Sequence, residues 1–264
     1  MLNAPTKTAL ITGASFGIGL ELARVFAREG YNLVLVARSA DKLRQLASEL
    51  EKAHGTRSLI LAVDLTEPGA PAYVLDQTTR ADIQVDVLVN NAGFGQYGLF
   101  AENDLEDCLR QIQLNVTTLT HLTRLYLPEM IKRESGGILN VASTAAFQPG
   151  PLMAVYFATK AYVLHFSEAL ANELDGSGVT VTALCPGATA TEFHKRANAT
   201  SMNLLKFGSM DARPVAEDGY RALMAGKPVV ISGFKNWLLA QSVRFSPRRL
   251  VTAIARKTQE AGGQ

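Results

Sequence analysis

Cysteine and unbalanced charge are both scarce in this sequence. The 264-residue chain has two cysteines, and its 26 Lys and Arg residues nearly match its 24 Asp and Glu residues. Two cysteines cannot form a disulfide framework, and neither Cys108 nor Cys185 lies in a metal-binding spacing, so a reducing compartment such as the cytoplasm is expected and a metal site is not. The formal net charge of +2 is too small to indicate nucleic acid as a partner. No secretory leader is recognisable, because MLNAPTKTALITGAS leads directly into a strand and a turn.

One long uncharged stretch is present, and it does not predict a membrane helix. Residues 135–159 carry no charged side chain, and a stretch of this length could span a bilayer. However, Gln148-Pro149-Gly150-Pro151 interrupts the stretch and would break a continuous helix in its middle. We therefore interpret the stretch as a buried strand, a turn and the start of a helix.

Apolar runs alternate with segments of helical spacing along the chain. The predicted strands are Thr8–Thr12, Asn32–Val36, Ser58–Val63, Val85–Val89, Ile138–Val141, Val179–Leu184 and Pro228–Ser232. The predicted helices are Leu20–Arg28, Asp41–His54, Leu105–Arg133 and Tyr156–Leu174, whereas Pro68–Arg80 stays undetermined. This order predicts an α/β fold of the Rossmann type, a doubly wound, mostly seven-stranded parallel sheet with helices on both faces. A chain with 47% apolar residues can bury one sizeable core, so residues 1–264 are expected to form a single domain.

The first predicted strand ends in a glycine-rich turn. This turn, GASFGIG, spans Gly13 to Gly19 and precedes a predicted helix. Glycines permit a tight turn and a close approach of the backbone, and a helix N-terminus attracts anions. A strand, this turn and a helix in that order therefore predict a cradle for dinucleotide phosphates, with a purely structural turn as the alternative.

Residues at the ends of the next strands bear on the choice of nucleotide. An acid after the second strand would bind ribose hydroxyls and repel a 2′-phosphate, but this chain has Arg38 there, which can pair with that phosphate. NADP(H) is therefore favoured over NAD(H), unless Arg38 only ends the strand in solvent. Asp64 either accepts a hydrogen bond from the adenine amino group or caps a turn. The amide and small residues of Asn90-Asn91-Ala92-Gly93 either admit a cofactor or satisfy buried polar groups.

A tyrosine, a lysine and a serine predict carbonyl chemistry. Tyr156 and Lys160 are four residues apart in a segment of helical spacing, so an ammonium beside the phenol is expected to lower the pKa of Tyr156. Tyr156 is then a candidate general acid or base, and Ser143 is placed to bind the same reacting oxygen. Asn115 lies among apolar residues, where its amide holds a helix kink, supports a water relay toward Lys160, or does both. A solvated helix face is the alternative for the tyrosine and the lysine.

In order and spacing these motifs resemble the short-chain dehydrogenase/reductase family over nearly the whole chain. The residues that carry the resemblance are Thr12, Gly13, Gly17, Gly19, Asp64, Asn90, Asn91, Ala92, Gly93, Asn115, Ser143, Tyr156, Lys160, Pro186 and Gly187. The resemblance implies that Tyr156 donates a proton to a carbonyl oxygen that Ser143 positions. It implies that Lys160 lowers the pKa of the tyrosine and binds the nicotinamide ribose, and that Asn115 supports a proton-relay water.

The resemblance also implies a set of cofactor contacts. These are Gly13, Ser15, Phe16, Gly17, Ile18, Gly19, Arg38, Asp64, Leu65, Asn91, Ala92, Gly93, Tyr156, Lys160, Pro186, Gly187, Thr189 and Thr191. Two positions depart from the family pattern. Phe16 stands where many NADP(H)-preferring members have a basic residue, and Thr189 stands where Val or Ile is more common.

The expected activity is hydride transfer between NADP(H) and a carbonyl/secondary alcohol pair. The residues expected to face the substrate are apolar, unless they are simply core: Phe94, Phe147, Leu152, Met153, Met202 and Phe207. They favour reduction of a lipophilic ketone or a 3-oxoacyl-type substrate. A loop at about 192–212 follows a strand end, where ligand loops are common. The resemblance implies a homodimer or homotetramer.

The C-terminal segment, about 235–260, combines basic and apolar residues. It carries Lys235, Arg244, Arg248, Arg249, Arg256 and Lys257 with no acid among them. Such a pair of basic amphipathic helices docks on the protein or on another subunit, covers a substrate mouth, or contacts an anionic membrane surface. Two other functions therefore stay open: a catalytically silent NADP(H)-binding sensor or scaffold, and a peripheral membrane protein.

Overall fold

A computed structural model of the chain describes residues 7–189 and 209–260. Its strands are β1 (Thr8–Thr12), β2 (Asn32–Ala37), β3 (Ser58–Ala62), β4 (Val87–Asn90), β5 (Gly136–Val141), β6 (Val179–Cys185) and β7 (Val229–Ile231). They form one parallel sheet in the order β3-β2-β1-β4-β5-β6-β7. The prediction of a doubly wound, seven-stranded parallel sheet is confirmed.

Helices cover both faces of this sheet. They are α1 (Gly17–Arg28), α2 (Ala40–His54), α3 (Ala70–Arg80), α4 (Leu105–Ile112), α5 (Leu119–Lys132), α6 (Ala154–Glu173), α7 (Ala212–Met224), α8 (Phe234–Val243) and α9 (Arg248–Gln259). Helix α3 occupies most of the segment that the sequence left undetermined. The uncharged stretch 135–159 contains β5, a short 3-10 helix and the start of α6, as interpreted from its proline-rich interruption. Within the described ranges, no helix is both long and apolar enough to cross a membrane.

Strand β1 illustrates how the sheet separates two apolar layers. Leu10 packs with Val34 into the layer under α3, α5 and α6, while Ile11 packs with Leu35 into the layer under α1, α2 and α7. All four side chains are fully buried. A parallel sheet that is covered on both faces needs apolar residues at consecutive positions, which explains why its strands appear as unbroken apolar runs.

A π-helix, Gln113–Thr118, divides the helix that the sequence predicted over Leu105–Arg133. Its buried Asn115 donates from Nδ2 to the backbone oxygen of Phe94 (2.9 Å) and to Oγ1 of Thr159 (3.1 Å), and its Oδ1 accepts from the backbone N–H of Phe94 (3.1 Å). The amide therefore ties this helix to the segment after β4 and to α6. A helix irregularity held by Asn115 was one of the two alternatives, and π-helical turns are frequent at functional sites.

A series of buried side-chain hydrogen bonds, which we call the polar chain, crosses the middle of the sheet. Asn90 on β4 donates to Oδ1 of Asn140 on β5 (2.9 Å), and Asn140 donates in turn to Oγ of Ser167 on α6 (2.9 Å). Asn140 is completely buried. Because buried amides are costly when they lack partners, this chain fixes the pairing of β4, β5 and α6.

Replacing Asn140 with Ala is expected to lower the free energy of unfolding by about 2–4 kcal/mol, since it leaves a cavity and removes one partner each from Asn90 and Ser167. Urea denaturation followed by circular dichroism measures the change. The exposed Asn172, changed to Ala, is the matched control and should cost under about 0.5 kcal/mol. Equal costs for both variants would show that the polar chain contributes nothing.

Candidate active site

The predicted site residues gather at the carboxyl ends of the strands. The strand order reverses between β1 and β4, which is the point where open α/β sheets bind ligands. The glycine-rich turn follows β1, Asn91 follows β4, Ser143 follows β5 and Pro186 follows β6. Segments that are far apart in sequence thus meet along one edge.

The turn after β1 requires glycine for two separate reasons. Gly13 and Gly17 have φ angles of +67° and +53°, which side chains disfavour. A Cβ at Gly13 would also lie 2.7 Å from Nδ2 of Asn91, and a Cβ at Gly19 would overlap that amide and the backbone oxygen of Gly13. Helix α1 begins at Gly17 with no side-chain cap and no acid in its first turn, so its positive end suits an anion.

Asn91 holds this cradle in place. Its Nδ2 donates to the backbone oxygen of Thr12 (2.8 Å), and the Oγ1 of Thr12 accepts from the backbone N–H groups of Asn91 (2.9 Å) and Ala92 (3.0 Å). These contacts show that Asn91 satisfies buried polar groups, which was the structural interpretation of this residue. Its predicted contact with the cofactor stays a prediction.

Asp64 caps a turn and faces two arginines. Its Oδ1 accepts from the backbone N–H (3.0 Å) and the Oγ1 (2.8 Å) of Thr66. Its Oδ2 lies 3.9 Å from a guanidinium nitrogen of Arg38 and 3.9 Å from one of Arg110. Burial acts to raise the pKa of Asp64, but the Thr66 hydrogen bonds and both arginines outweigh it, so the pKa is below its ordinary value. Of the two alternatives for Asp64, the turn cap is thus visible in the contacts.

Two basic residues at this edge were missed by the sequence reasoning. Arg110 belongs to α4, and only the packing of α4 against the sheet edge brings it to Asp64. Lys42 on α2 places its Nζ 3.8 Å from the ring centroid of Phe16. The spacing of Lys42, four residues after Arg38, was the one signal available for it. Positive charge therefore reaches the Phe16 position even though the residue itself is aromatic.

The catalytic candidates Tyr156 and Lys160 both lie on α6, as their spacing predicted. The Nζ of Lys160 lies 5.8 Å from the ring centroid of Tyr156 and donates to the backbone oxygen of Val141 (2.7 Å). The Ser143 side chain lies close enough to the Tyr156 hydroxyl to lower its pKa. The Ser143 hydroxyl accepts from the backbone N–H of Ala145 (3.1 Å) and donates to the backbone oxygen of Pro186 (3.5 Å), which fixes its position. The structure thus unites the predicted serine, tyrosine and lysine.

The expected direction of the tyrosine pKa shift is wrong for this state of the protein. Burial raises the pKa of Tyr156 to about 12, and Ser143 acts in the opposite direction. Burial also lowers the pKa of Lys160 to about 8. The tyrosine pKa is not lowered as expected because the Lys160 ammonium points to the backbone oxygen of Val141. The spacing of the two residues predicted that they share a helix face, but it did not predict the surroundings of either group. The phenol is consequently protonated at neutral pH, as a proton donor must be.

Asn115 and Gly93 lie next to the lysine. A Cβ at Gly93 would lie 3.0 Å from Oδ1 of Asn115 and 3.6 Å from Nζ of Lys160. Glycine therefore lets the segment after β4 pass between the helix amide and the ammonium. The water relay through Asn115 stays a prediction.

The segment after β6 completes the edge. The backbone oxygen of Pro186 accepts from the N–H of Thr144 (2.9 Å). A Cβ at Gly187 would overlap the amide of Asn236. The Oγ1 of Thr189 donates to the backbone oxygen of Gly187 (3.0 Å). Three predicted residues lie outside the described ranges: Thr191, Met202 and Phe207.

The described substrate candidates differ in their surroundings. Met153 is only 4% exposed and packs with Ala145 and Phe157 in a small apolar cluster, which the rings of Tyr97 and Tyr156 also contact. Leu152, with φ +70°, accepts a backbone hydrogen bond from Gly98 (2.9 Å). Phe94 and Phe147 are partly exposed. Met153 therefore forms an apolar wall behind Tyr156, and Tyr97 joins it without having been predicted.

Comparison with known proteins gives concordant matches. Residues 7–202 fit the family pattern described as short chain dehydrogenase. The chain is 36% identical over 192 residues to the very-long-chain 3-oxoacyl-CoA reductase of Bos taurus, which covers 71% of this chain and 61% of that protein. A short-chain dehydrogenase from Sphingobium yanoikuyae, solved in complex with NADPH, is 36% identical with a TM-score of 0.81, covering 90% of this chain and 94% of that chain. The bulky-bulky ketone specific alcohol dehydrogenase from Comamonas testosteroni is 33% identical with a TM-score of 0.77, covering 92% and 93%.

The curated relatives are longer than the matched region. The aligned part of this chain spans 60%, 61% and 65% of the length of three of them. The family pattern nevertheless covers most of the present chain, including the glycine-rich turn and the residues Ser143, Tyr156 and Lys160. The chain belongs to the short-chain dehydrogenase family of oxidoreductases.

Proposed function

We propose that the protein catalyses NADPH-dependent reduction of a lipophilic ketone or a 3-oxoacyl-type substrate to a secondary alcohol. The observation that carries the proposal is the placement of Ser143 beside Tyr156, with Lys160 on the same helix, at the sheet edge that also holds the glycine-rich turn. A protonated phenol and a serine hydroxyl then face one reacting oxygen, beside a cradle suited to a dinucleotide.

The chemistry divides between the nucleotide and the protein. NADPH, when bound, would supply the hydride to the carbonyl carbon. Tyr156 gives its proton to the carbonyl oxygen, so that the product is a neutral alcohol, and Ser143 holds that oxygen by a hydrogen bond. The ammonium of Lys160, one helical turn after Tyr156 on α6, would bind the nicotinamide ribose. Because the same groups act in both directions, the assignment holds for alcohol oxidation as well.

The choice of NADPH rests on charge at the end of β2. The side chain of Arg38 is 57% exposed beside the turn, Lys42 lies over Phe16, and Arg110 faces Asp64. Three cations around one edge suit a ribose 2′-phosphate, which is dianionic above its second pKa. The NADPH complex of the Sphingobium yanoikuyae relative supports this choice.

The substrate class is supported by the apolar cluster and by relatives. Met153 and Phe157 pack around Tyr156, and the Bos taurus and Comamonas testosteroni relatives are described as acting on a very-long-chain 3-oxoacyl-CoA and on bulky ketones. Each methylene buried in an apolar site contributes about 0.8 kcal/mol, so a ketone two methylenes longer should raise kcat/KM roughly tenfold until the site is filled. A panel of ketones and 3-oxoacyl thioesters of increasing chain length, followed by NADPH absorbance, tests this. Faster turnover of small polar ketones would contradict it.

A pH dependence follows from the buried lysine. Since burial lowers the pKa of Lys160 to about 8, the free enzyme loses the ammonium as the pH rises through that value, while Tyr156, with a pKa of about 12, keeps its proton. We expect kcat/KM for NADPH, measured at saturating ketone, to be level below about pH 8 and to fall up to tenfold per pH unit above it. The residual activity of Lys160→Met should lack this fall. A level wild-type profile up to about pH 10 would refute the assignment.

We also propose a homodimer or homotetramer and a reducing compartment such as the cytoplasm. An apolar stripe on α4, formed by Leu105, Leu109 and Ile112, is exposed and supports self-association through this helix. The two cysteines, Cys108 and Cys185, are free and buried, which supports the compartment.

A further inference from the structure

The C-terminal helices α8 and α9 pack on the protein in an unusual way. Their buried residues are mostly small or polar: Ala240 on α8, and Val251, Ala255 and Gln259 on α9. Large apolar side chains point outward instead. A helix that only covers a core turns its large apolar residues inward, so the outer surface of this pair needs a separate explanation.

The outward apolar residues form a concentrated set. Sixteen large apolar side chains are exposed in the described part of the chain, and seven of them lie between residues 234 and 254. They are Phe234, Trp237, Leu238, Leu239, Phe245, Leu250 and Ile254, and we call them the C-terminal apolar patch. Phe234 and Trp237 stack with ring centroids 5.9 Å apart, and Phe245, between the helices, is 88% exposed. Clustering of this kind marks an interaction surface.

Basic residues flank the patch. Leu250 and Ile254 are four apart and share one side of α9, whereas Arg249 and Arg256 are seven apart and share the neighbouring side. From Lys235 to Lys257 the sequence has six basic residues and no acid. In the described ranges the first acid after them is Glu260, which pairs with Arg256 (3.1 Å). The surface is therefore both apolar and cationic.

This combination selects one kind of partner. Aromatic and aliphatic side chains beside Lys and Arg are typical of helices that lie in the interface of a bilayer, where the rings enter the headgroup layer and the cations meet anionic lipid. A second copy of the chain fits less well, because a symmetric contact would bring two acid-poor cationic segments together. The exposed stripe on α4 is a separate surface without this excess of charge.

We propose that α8, α9 and the connection between them bind the headgroup region of an anionic phospholipid bilayer. Asn236 anchors α8 to the sheet edge by donating to the backbone oxygen of Ser232 (2.8 Å), so the patch is presented on a fixed element. The same helix contributes Ala240 and Val243, with Arg244 just beyond it, to a cavity of about 170 Å³ that Phe147 also lines. Docking through this face would hold the active-site edge close to lipid. The inference does not depend on the proposed reductase activity.

The single tryptophan of the chain lies in the patch and supplies a direct readout. The full-length protein is mixed with vesicles of phosphatidylcholine alone or with phosphatidylglycerol, and both co-sedimentation and Trp237 emission are measured. We expect binding and a blue shift only with the anionic vesicles. Arg244→Gln/Arg248→Gln/Arg249→Gln should weaken binding about hundredfold, since each cation near such a surface contributes roughly fivefold. Phe245→Ser/Leu250→Ser should remove the residual binding.

Matched controls separate this effect from net charge and from folding. Lys52→Gln/Arg57→Gln/Arg124→Gln removes the same charge from exposed positions elsewhere and should bind vesicles like the wild type. All variants should keep the wild-type circular dichroism spectrum and NADPH titration. Two results would overturn the proposal. One is equal sedimentation of the wild type with both vesicle types, and the other is a loss of oligomer mass in Phe245→Ser/Leu250→Ser, which would make the patch a subunit contact.

Discussion

Replacing Tyr156 with Phe is expected to lower kcat for ketone reduction by about 10²–10⁴-fold and to change NADPH affinity by less than about tenfold. A positioned general acid contributes an acceleration of that size, and only the hydroxyl is removed. The ring keeps its edge contact with Phe157, with centroids 6.1 Å apart, so the apolar cluster stays packed. Steady-state NADPH oxidation gives kcat, and fluorescence titration gives the affinity.

Tyr97 provides a matched control for this variant. Its ring packs against the same cluster of Ala145, Met153 and Phe157. Among the described residues, the hydrogen-bond partners of the Ser143 hydroxyl are Ala145 and Pro186 and do not include Tyr97. Tyr97→Phe should therefore keep kcat within about threefold of the wild type, as expected for an uncharged change away from the reacting atoms. If Tyr156→Phe retained more than about a tenth of the wild-type kcat, the proton donor would be another group. If the wild type bound NADPH but reduced no ketone in a broad panel, the silent sensor or scaffold would replace the enzyme.

The sheet could be predicted from the sequence because its strands are buried on both faces. Unbroken runs such as Leu33–Val36 have few alternatives to a central parallel strand, and glycines at fixed positions mark the turn after β1. Helix α3 was left undetermined because its sequence, APAYVLDQTTR, has weak apolar periodicity. The helix packs on α5 with Val74 and Thr78 buried, which the sequence pattern did not indicate. A kink held by Asn115 was one interpretation of the sequence, but its π-helical form was not predicted, because Asn115 bonds to Phe94 and Thr159, which are distant in sequence.

The identities of the site residues were easier to predict than their environments. Spacing alone placed Tyr156 and Lys160 on one side of α6, since that is a property of every helix. The sign of the tyrosine pKa shift depends on burial and on where the ammonium points. The ammonium is directed by β5, because the backbone oxygen of Val141 accepts a hydrogen bond from Nζ of Lys160. Likewise, Arg110 and Asp64 are 46 residues apart in sequence, so no local sequence pattern could predict their contact.

The contacts around Arg38 predict the second large effect, a change in nucleotide preference. Arg38→Asp is expected to lower kcat/KM for NADPH by about 10²-fold or more and to raise or preserve that for NADH. A charged hydrogen bond to a phosphate contributes about 1.5–3 kcal/mol, which is roughly 10- to 150-fold, and the new carboxylate adds repulsion of the 2′-phosphate. Lys42→Gln should have a smaller effect in the same direction, because its ammonium already interacts with the ring of Phe16.

Arg44 supplies the control that distinguishes a specific contact from general charge. It lies on α2, six residues after Arg38, is comparably exposed and pairs with Asp41 (2.6 Å) rather than facing the turn. Arg44→Asp makes the same charge change, yet it should leave the ratio of kcat/KM for NADPH to that for NADH within about threefold of the wild type, because exposed charges are screened over about a Debye length. An unchanged ratio in Arg38→Asp would mean that this arginine only ends β2 in solvent. Equal changes in both variants would mean that long-range attraction, and not a 2′-phosphate contact, sets the preference.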